Sequence, residues 1–408
     1  MSVFDENQEQ LIYPVTIIRG GTSRALFFKE GDLPGMDDGQ PGLLAAAMGR
    51  PDPLEVDGLG GGKFNTSKVA IVGISKMAGV DLEYTFVQVE PDSDIVDYNA
   101  NCGNIASGVP IFALDKQMLN LPDGENEVRI FNTNTKKMLY ARLKVQNGKA
   151  LVRGDYVMPG VPGAGSKIFM DFRDTVGAST GAMFPTGNKR DILELDDGTS
   201  VAVTVCDVSN LVVFIDSRDV GLDGRESLGA LAANEGLFLR CEEIRGKAAK
   251  LAGLVDDWHK AGKSFIPPVC LVSRPVSYEA SDHCMIERGR CSLIGKLVVA
   301  DSMHPTFMGT GSCCIAAAAN VKGTVPFALR EQAPGDARFL LGHPGGVMEL
   351  EVESGGEDAS GVVSFKRLGF GRTARKIADC TMYINRETLK GFTPEVVLPT
   401  DLTGIERA

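Results

Sequence analysis

At 408 residues, 43% of them hydrophobic and 23% charged, the chain has a globular composition and enough length for two domains. Its net charge of -11 argues against nucleic acid or an anionic membrane as partner, while leaving room for a small anion in a locally positive cleft. Nine cysteines without a C-x-x-C, and four scattered histidines, give neither a disulfide framework nor a zinc site.

No stretch reaches the apolar length of a membrane span, and Met1 to Pro14 is polar rather than signal-like, so a reduced, cytoplasmic, metal-free protein is expected. Short β-rich runs separated by 48 glycines predict a turn-dense α+β protein.

Tyr13 to Ile18 reads as a strand, followed by the turn Arg19-Gly20-Gly21-Thr22-Ser23-Arg24 and a strand from Ala25 to Phe28. Bare amides and the hydroxyls of Thr22 and Ser23 at one strand end suit a carboxylate, although a plain hairpin turn needs the same residues. Leu43 to Met48 reads as a short helix. Asp57-Gly58-Leu59-Gly60-Gly61-Gly62-Lys63 looks like a nucleotide loop, but neither the Walker nor the G-x-G-x-x-G spacing is met.

After it come Asn65-Thr66-Ser67-Lys68 and the strand Val69 to Val72. A lysine opening an apolar strand is either an ordinary strand-end cap or a partly desolvated amine fit for proton transfer. A further strand, Leu82 to Val89, leads to Asn101-Cys102-Gly103-Asn104 and the apolar run Ile105 to Leu114. This reads as a cysteine at the start of a buried helix. It is either a core thiol or one activated by unpaired helix amides. Pro110 should kink or shorten that helix.

Strands are expected at Glu127 to Phe131, Met138 to Val145 and Ala150 to Tyr156, and a seam between halves near Asp174-Thr175-Val176-Gly177 and Phe184 to Asn188. The second half begins with strands at Ser200 to Cys206 and Leu211 to Ile215, then an amphipathic helical region from Arg225 to His259. Strands return at Val269 to Ser273, Cys284 to Arg288 and Lys296 to Val299. Ser302 to Ser312, containing His304 and Met308-Gly309-Thr310-Gly311, enters the small apolar helix Cys313 to Ala319, an echo of the first glycine turn and helix. The last strands are Val347 to Glu353 and Val362 to Leu368.

Seven motifs in order carry a resemblance along nearly the whole chain: Arg19-Gly20-Gly21-Thr22-Ser23; Asp57 to Gly61 with Thr66-Ser67-Lys68; Asn101-Cys102-Gly103-Asn104; Asp174-Thr175-Val176-Gly177; Pro185-Thr186-Gly187-Asn188; Gly342-His343-Pro344; and Arg372-Thr373-Ala374-Arg375. Together they resemble the PrpF-type aconitate/methylaconitate isomerases, within the diaminopimelate-epimerase-like fold.

The resemblance implies two similar domains, each a sheet wrapped around a central helix, with the active site in the cleft between them. We set them at 1–185, with the C-terminal tail crossing back, and 186–408. It implies a cofactor-independent, metal-free isomerase of small unsaturated di- and tricarboxylates: aconitate or 2-methylaconitate, with 4-oxalomesaconate and 3-methylitaconate as alternatives.

Carried over residue by residue, Lys68 and Cys102 handle protons. Thr22, Ser23, Thr66, Ser67, Gly103, Asn104, His304, Met308, Gly309, Thr310, Gly311 and Arg372 (or Arg375) line the substrate. Amino-acid epimerases of this fold need a second cysteine where this chain has Met308, and a thioether transfers no proton. A racemase is therefore disfavoured, and a non-catalytic organic-acid binder is the other rival. The oligomeric state stays open, with a homodimer as one option.

Overall fold

The computed structural model describes residues 9–99, 101–261, 267–299, 301–331, 337–358 and 361–398. The outer ends of the two expected domains, 1–8 and 399–408, lie outside the described residues. Among the described residues no helix is long and apolar enough to cross a membrane. The chain forms two compact units, one of residues 1–170 with 371–401 and the other chiefly of 171–370.

The seam therefore falls at Met170/Asp171 rather than at 185/186, and hydrogen bonding gives the reason. Phe172 N–H donates to Leu368 O at 2.7 Å, Gly177 N–H to Asp207 O at 2.9 Å, and Asp207 N–H to Met183 O at 2.8 Å. Buried backbone groups need such partners, and these tie residues 171–185 into the second unit.

In the first unit, β1 (Gln10–Gly20) and β2 (Ser23–Lys29) form a hairpin in which Gly20 pairs with Ser23. The other edge of β1 pairs with the returning strand Ala374–Asn385. Next in chain order is the helix α1 (Gln40–Met48), then β3 (Lys68–Ile74) parallel to β2 and β4 (Leu82–Val89) antiparallel to β3. The short β5 (Ile95–Asp97) precedes the helices α2 (Gly103–Ala106) and α3 (Val109–Asp115); β6 (Gly124–Asn132) and β7 (Lys137–Gln146) follow as a hairpin.

These strands are apolar on both faces because both are covered. Leu26, Phe28, Val69, Ile71, Val87 and Val89 point towards α1 and its Leu43, Leu44 and Met48. The alternate phase faces the central helices: Phe27 meets Phe112 with ring centroids 5.6 Å apart, and a side chain at Gly108 would strike Phe27 and Ile18. The expected central helix is broken. Ser107 and Gly108 stay right-handed, and Pro110 sits in the first turn of α3, where its missing N–H costs nothing.

The second unit repeats the plan. Strands Ser200–Val208, Asn210–Asp216, Val269–Ser273 and Leu293–Val299 lie side by side. Val203, Val205, Val213, Ile215 and Leu271 pack against Leu237, Cys241, Ile244 and Ala248 of the helix Glu235–Leu251. The opposite face covers the helix Gly309–Ala318, buried almost throughout; a side chain at Gly295 would come within 3.2 Å of its Ile315. This is a duplicated sheet-and-helix α+β architecture of the diaminopimelate-epimerase type.

Three expected elements come out differently. Ala150–Tyr156 is not a strand, because only its ends make short bridges. Its backbone bonds instead to a crossing segment: Ser166 N–H donates to Val152 O at 2.9 Å, and Gly154 is pressed against Gly165. Cys284–Arg288 reduces to Met285–Ile286 paired with Tyr278–Glu279, ended by a 3-10 turn over Arg288–Arg290. The helical region splits at Asn234, whose side chain accepts from Leu237 N–H at 3.0 Å and starts the longer helix as an N-cap.

Candidate active site

Lys68 opens β3 directly opposite Gln88 of β4, so the two side chains share the face turned towards the central helices. Its side chain is buried, at 2% exposure. Nζ donates to Gln88 Oε1 and lies 4.0 Å from the Phe64 ring centroid and 5.2 Å from that of Phe86. Burial pushes the amine's pKa down, and Cys102 and Glu90, when ionised, only partly oppose the shift. Glu90 itself is pushed up to about 6, chiefly by burial, against the pull of Lys68 and with Asp97 and Asp92 adding to the rise.

Cys102 is the N-cap of α2, in extended conformation with φ -130°, and its thiol is half-buried. The β1–β2 turn is pressed against this helix start. A Cβ on Gly20 would lie 2.3 Å from Asn104 O, and one on Gly21 would lie 2.2 Å from Asn104 Oδ1. Gly21 also has φ +52°, so glycine serves there both for space and for backbone conformation.

Through this approach Asn104 becomes a bridge. Its Nδ2 donates to Thr22 Oγ1 at 3.1 Å, and its Oδ1 accepts from Arg372 Nε at 2.7 Å. Arg372 is 5% exposed and also donates to Gly371 O at 3.0 Å. Arg19 anchors the same turn by donating to Gly21 O and Thr373 O, each at 2.8 Å.

The first unit thus brings together Thr22, Lys68, Cys102, Gly103, Asn104 and Arg372. Ser23 is buried at the turn. Ser67 is fully buried and donates to Glu55 Oε2 at 2.6 Å, so its hydroxyl organises the glycine loop, whose Gly62 N–H reaches the same oxygen at 2.7 Å. Thr66 Oγ1 donates to Lys63 O at 3.2 Å.

His304, Met308, Gly309, Thr310 and Gly311 belong to the second unit. Met308 is the N-cap of Gly309–Ala318 and supplies no side-chain cap to the helix amides. His304 Nδ1 accepts from Thr306 N–H at 3.1 Å, which leaves Nε2 to carry the proton of the neutral ring. Burial pushes its pKa down. Cys313 and Cys314 are wholly buried, and Cys314 Sγ donates to Cys206 O at 3.2 Å, which makes them structural.

Sequence reasoning missed Gln88, Glu90 and Glu55. Gln88 left a signal, as a polar residue in the inward phase of a strand whose other inward members are Leu82, Tyr84 and Phe86. Glu55 left none, because its burial depends on how the loop folds back. Among the described residues no group of three or more His, Cys, Asp or Glu is arranged to hold a metal ion.

The PrpF protein family model matches residues 10–385. The chain is 34% identical to 3-methylitaconate isomerase of Eubacterium barkeri, over 93% of this chain and 99% of that protein. It is 33% identical to 4-oxalomesaconate tautomerase of Pseudomonas putida, over 93% and 98% respectively. A crystal structure of methylitaconate-delta-isomerase superposes with a TM-score of 0.83 at 35% identity, covering 94% of this chain and 98% of that one. The chain belongs to the PrpF family and is an isomerase of that type.

Proposed function

We propose that the protein moves one proton across the allylic system of a small unsaturated di- or tricarboxylate of the aconitate type, without a cofactor. The observation that carries this reading is Lys68, a buried amine held by Gln88 with lowered proton affinity and within electrostatic reach of the half-buried Cys102 at a helix start. The substrates in the relatives' names, 3-methylitaconate and 4-oxalomesaconate, support the class.

In one direction neutral Lys68 takes a proton from the carbon next to a carboxylate, and the C–H electron pair spreads into a dienolate. The Cys102 thiol returns a proton at the far carbon, leaving ammonium and thiolate side by side, and exchange with solvent restores both. The reverse reaction swaps the roles. Donors aimed at the developing negative charge are what such a step needs, and the amides of Gly103 and Asn104 with Thr22 and Arg372 are suited to it. Nine cysteines with no disulfide among the described residues suit a reducing, intracellular setting.

The test is incubation with cis-aconitate, trans-aconitate, 2-methylaconitate, 3-methylitaconate and 4-oxalomesaconate in deuterium oxide, following vinyl and methylene protons by NMR. We expect isomer formation with deuterium entering one allylic carbon of at least one acid. Tight binding of these acids with no exchange and no isomer would overturn the allylic proton-transfer reading for this substrate class.

A further inference from the structure

Gln88 is buried at 1% exposure, and all of its amide is in use. Nε2 donates to Ser67 O at 3.0 Å, Val89 O at 3.2 Å and Phe64 O at 3.3 Å, while Oε1 accepts from Lys68 Nζ. The amide has one possible orientation. Turned over, its oxygen would face three carbonyls and its NH₂ would face the lysine amine. Because Phe64 O and Ser67 O belong to the segment leading into β3, the same amide also fixes the stretch that lays the Phe64 ring over Nζ.

We propose that Gln88 is a positioning residue for the proton-transfer lysine, holding Nζ through an acceptor that carries no charge and fixing the loop that covers it. This inference rests on the reading of Lys68 as an acid–base group. A neutral acceptor orients the amine in either protonation state, whereas a carboxylate in the same place would bind the ammonium and make it a poor base. The other titratable groups that reach Lys68 electrostatically are Cys102, from the start of α2, and Glu90, just beyond β4. Both are negative when ionised, and the neutrality of Gln88 keeps a third such charge away.

The experiment uses the full chain labelled with ¹³Cε-lysine. The Lys68 resonance is assigned by its loss in Lys68→Met and titrated by NMR in wild type, Gln88→Glu and Gln88→Met. Rates over pH are measured with the acid that turns over best. In Gln88→Glu we expect the Lys68 titration and the acid limb of kcat/KM to rise together by at least about one pH unit, costing about tenfold in rate below that limb. In Gln88→Met we expect kcat to fall about 10- to 100-fold with little change in KM, since orientation is lost without a substrate contact.

Unmoved titrations and pH profiles in folded Gln88→Glu would overturn the proposal. Should that variant fail to fold, an unchanged kcat in Gln88→Met would overturn it. If instead Lys68→Met turns over normally, the acid–base reading falls, and the NMR titration still reports whether Gln88 governs the amine.

Discussion

Among the described residues each unit buries one lysine in its sheet, and the two are bonded differently. Lys296, at 3% exposure, donates to Gly224 O at 2.9 Å and Glu226 O at 2.6 Å, with Glu226 Oε2 at 3.4 Å. Three oxygens match the three N–H bonds of an ammonium, so this lysine is a saturated clamp on the stretch around Glu226. Among the described residues Lys68 has a single oxygen partner, which is neutral, and two aromatic faces. Burial pushes both amines down, yet only Lys68 keeps donor capacity unspent. Lowered proton affinity alone does not mark a catalytic amine; it must be read together with what occupies the remaining N–H bonds.

The widest separation should come from removing each amine. Lys68→Met is expected to cut turnover by about 10²- to 10⁴-fold while leaving the circular-dichroism melt near that of wild type. Lys296→Met should leave turnover per folded molecule unchanged but cost about 2–4 kcal/mol in urea unfolding, because the carbonyls and carboxylate it serves lose their donor. Equal loss of activity in both folded variants would erase the distinction.

Cys102→Ser should lower kcat by about 10²-fold or more, a hydroxyl being a far weaker acid than a thiol, whereas Cys314→Ser should leave rates unchanged. Asn104→Ala frees Thr22 and Arg372 from each other and is expected to raise KM by about tenfold in initial-rate measurements.

The smallest effect concerns Glu90. Its pKa is raised from 4.5 to about 6, so the folded state binds more protons than the unfolded state between those values, and stability falls as pH rises through that window. Glu90→Gln should therefore stabilise the protein by about 1 kcal/mol at pH 7.5, after allowance for solvent screening, and by less at pH 4.5. Melts at the two pH values check the sign.

Much of this was legible in the sequence where local pattern decides the outcome. Leu82–Val89 and Val269–Ser273 are strands over the expected residues, since β-branched and aromatic runs bounded by turns leave little choice. Cys102 at a helix start and Lys68 at a strand start follow from adjacent glycines and apolar runs. What could not be read depends on contacts between distant residues. Ala150–Tyr156 has strand composition but gives its hydrogen bonds to the stretch around Gly165 and Ser166. Ser67 looked like a substrate hydroxyl until the loop carried Glu55 back onto it. The Asn104 bridge needs Thr22 and Arg372, the latter 268 residues away.

The broken central helix has one more consequence. Gly103–Ala106 is a single turn, closed by bonds such as Ala106 N–H to Cys102 O at 3.0 Å and Ser107 N–H to Asn104 O at 3.2 Å. A lone turn has no stability of its own in water, because nucleation costs more than one or two hydrogen bonds return. The geometry at Cys102 is therefore borrowed from the hairpin glycines, Asn104 and the strands beneath, and it persists only while they are assembled. The helix start at Cys102 thus melts with the cooperative unit and not ahead of it, so hydrogen exchange of the Ala106 and Ser107 amides in rising urea should converge on global unfolding of the first unit.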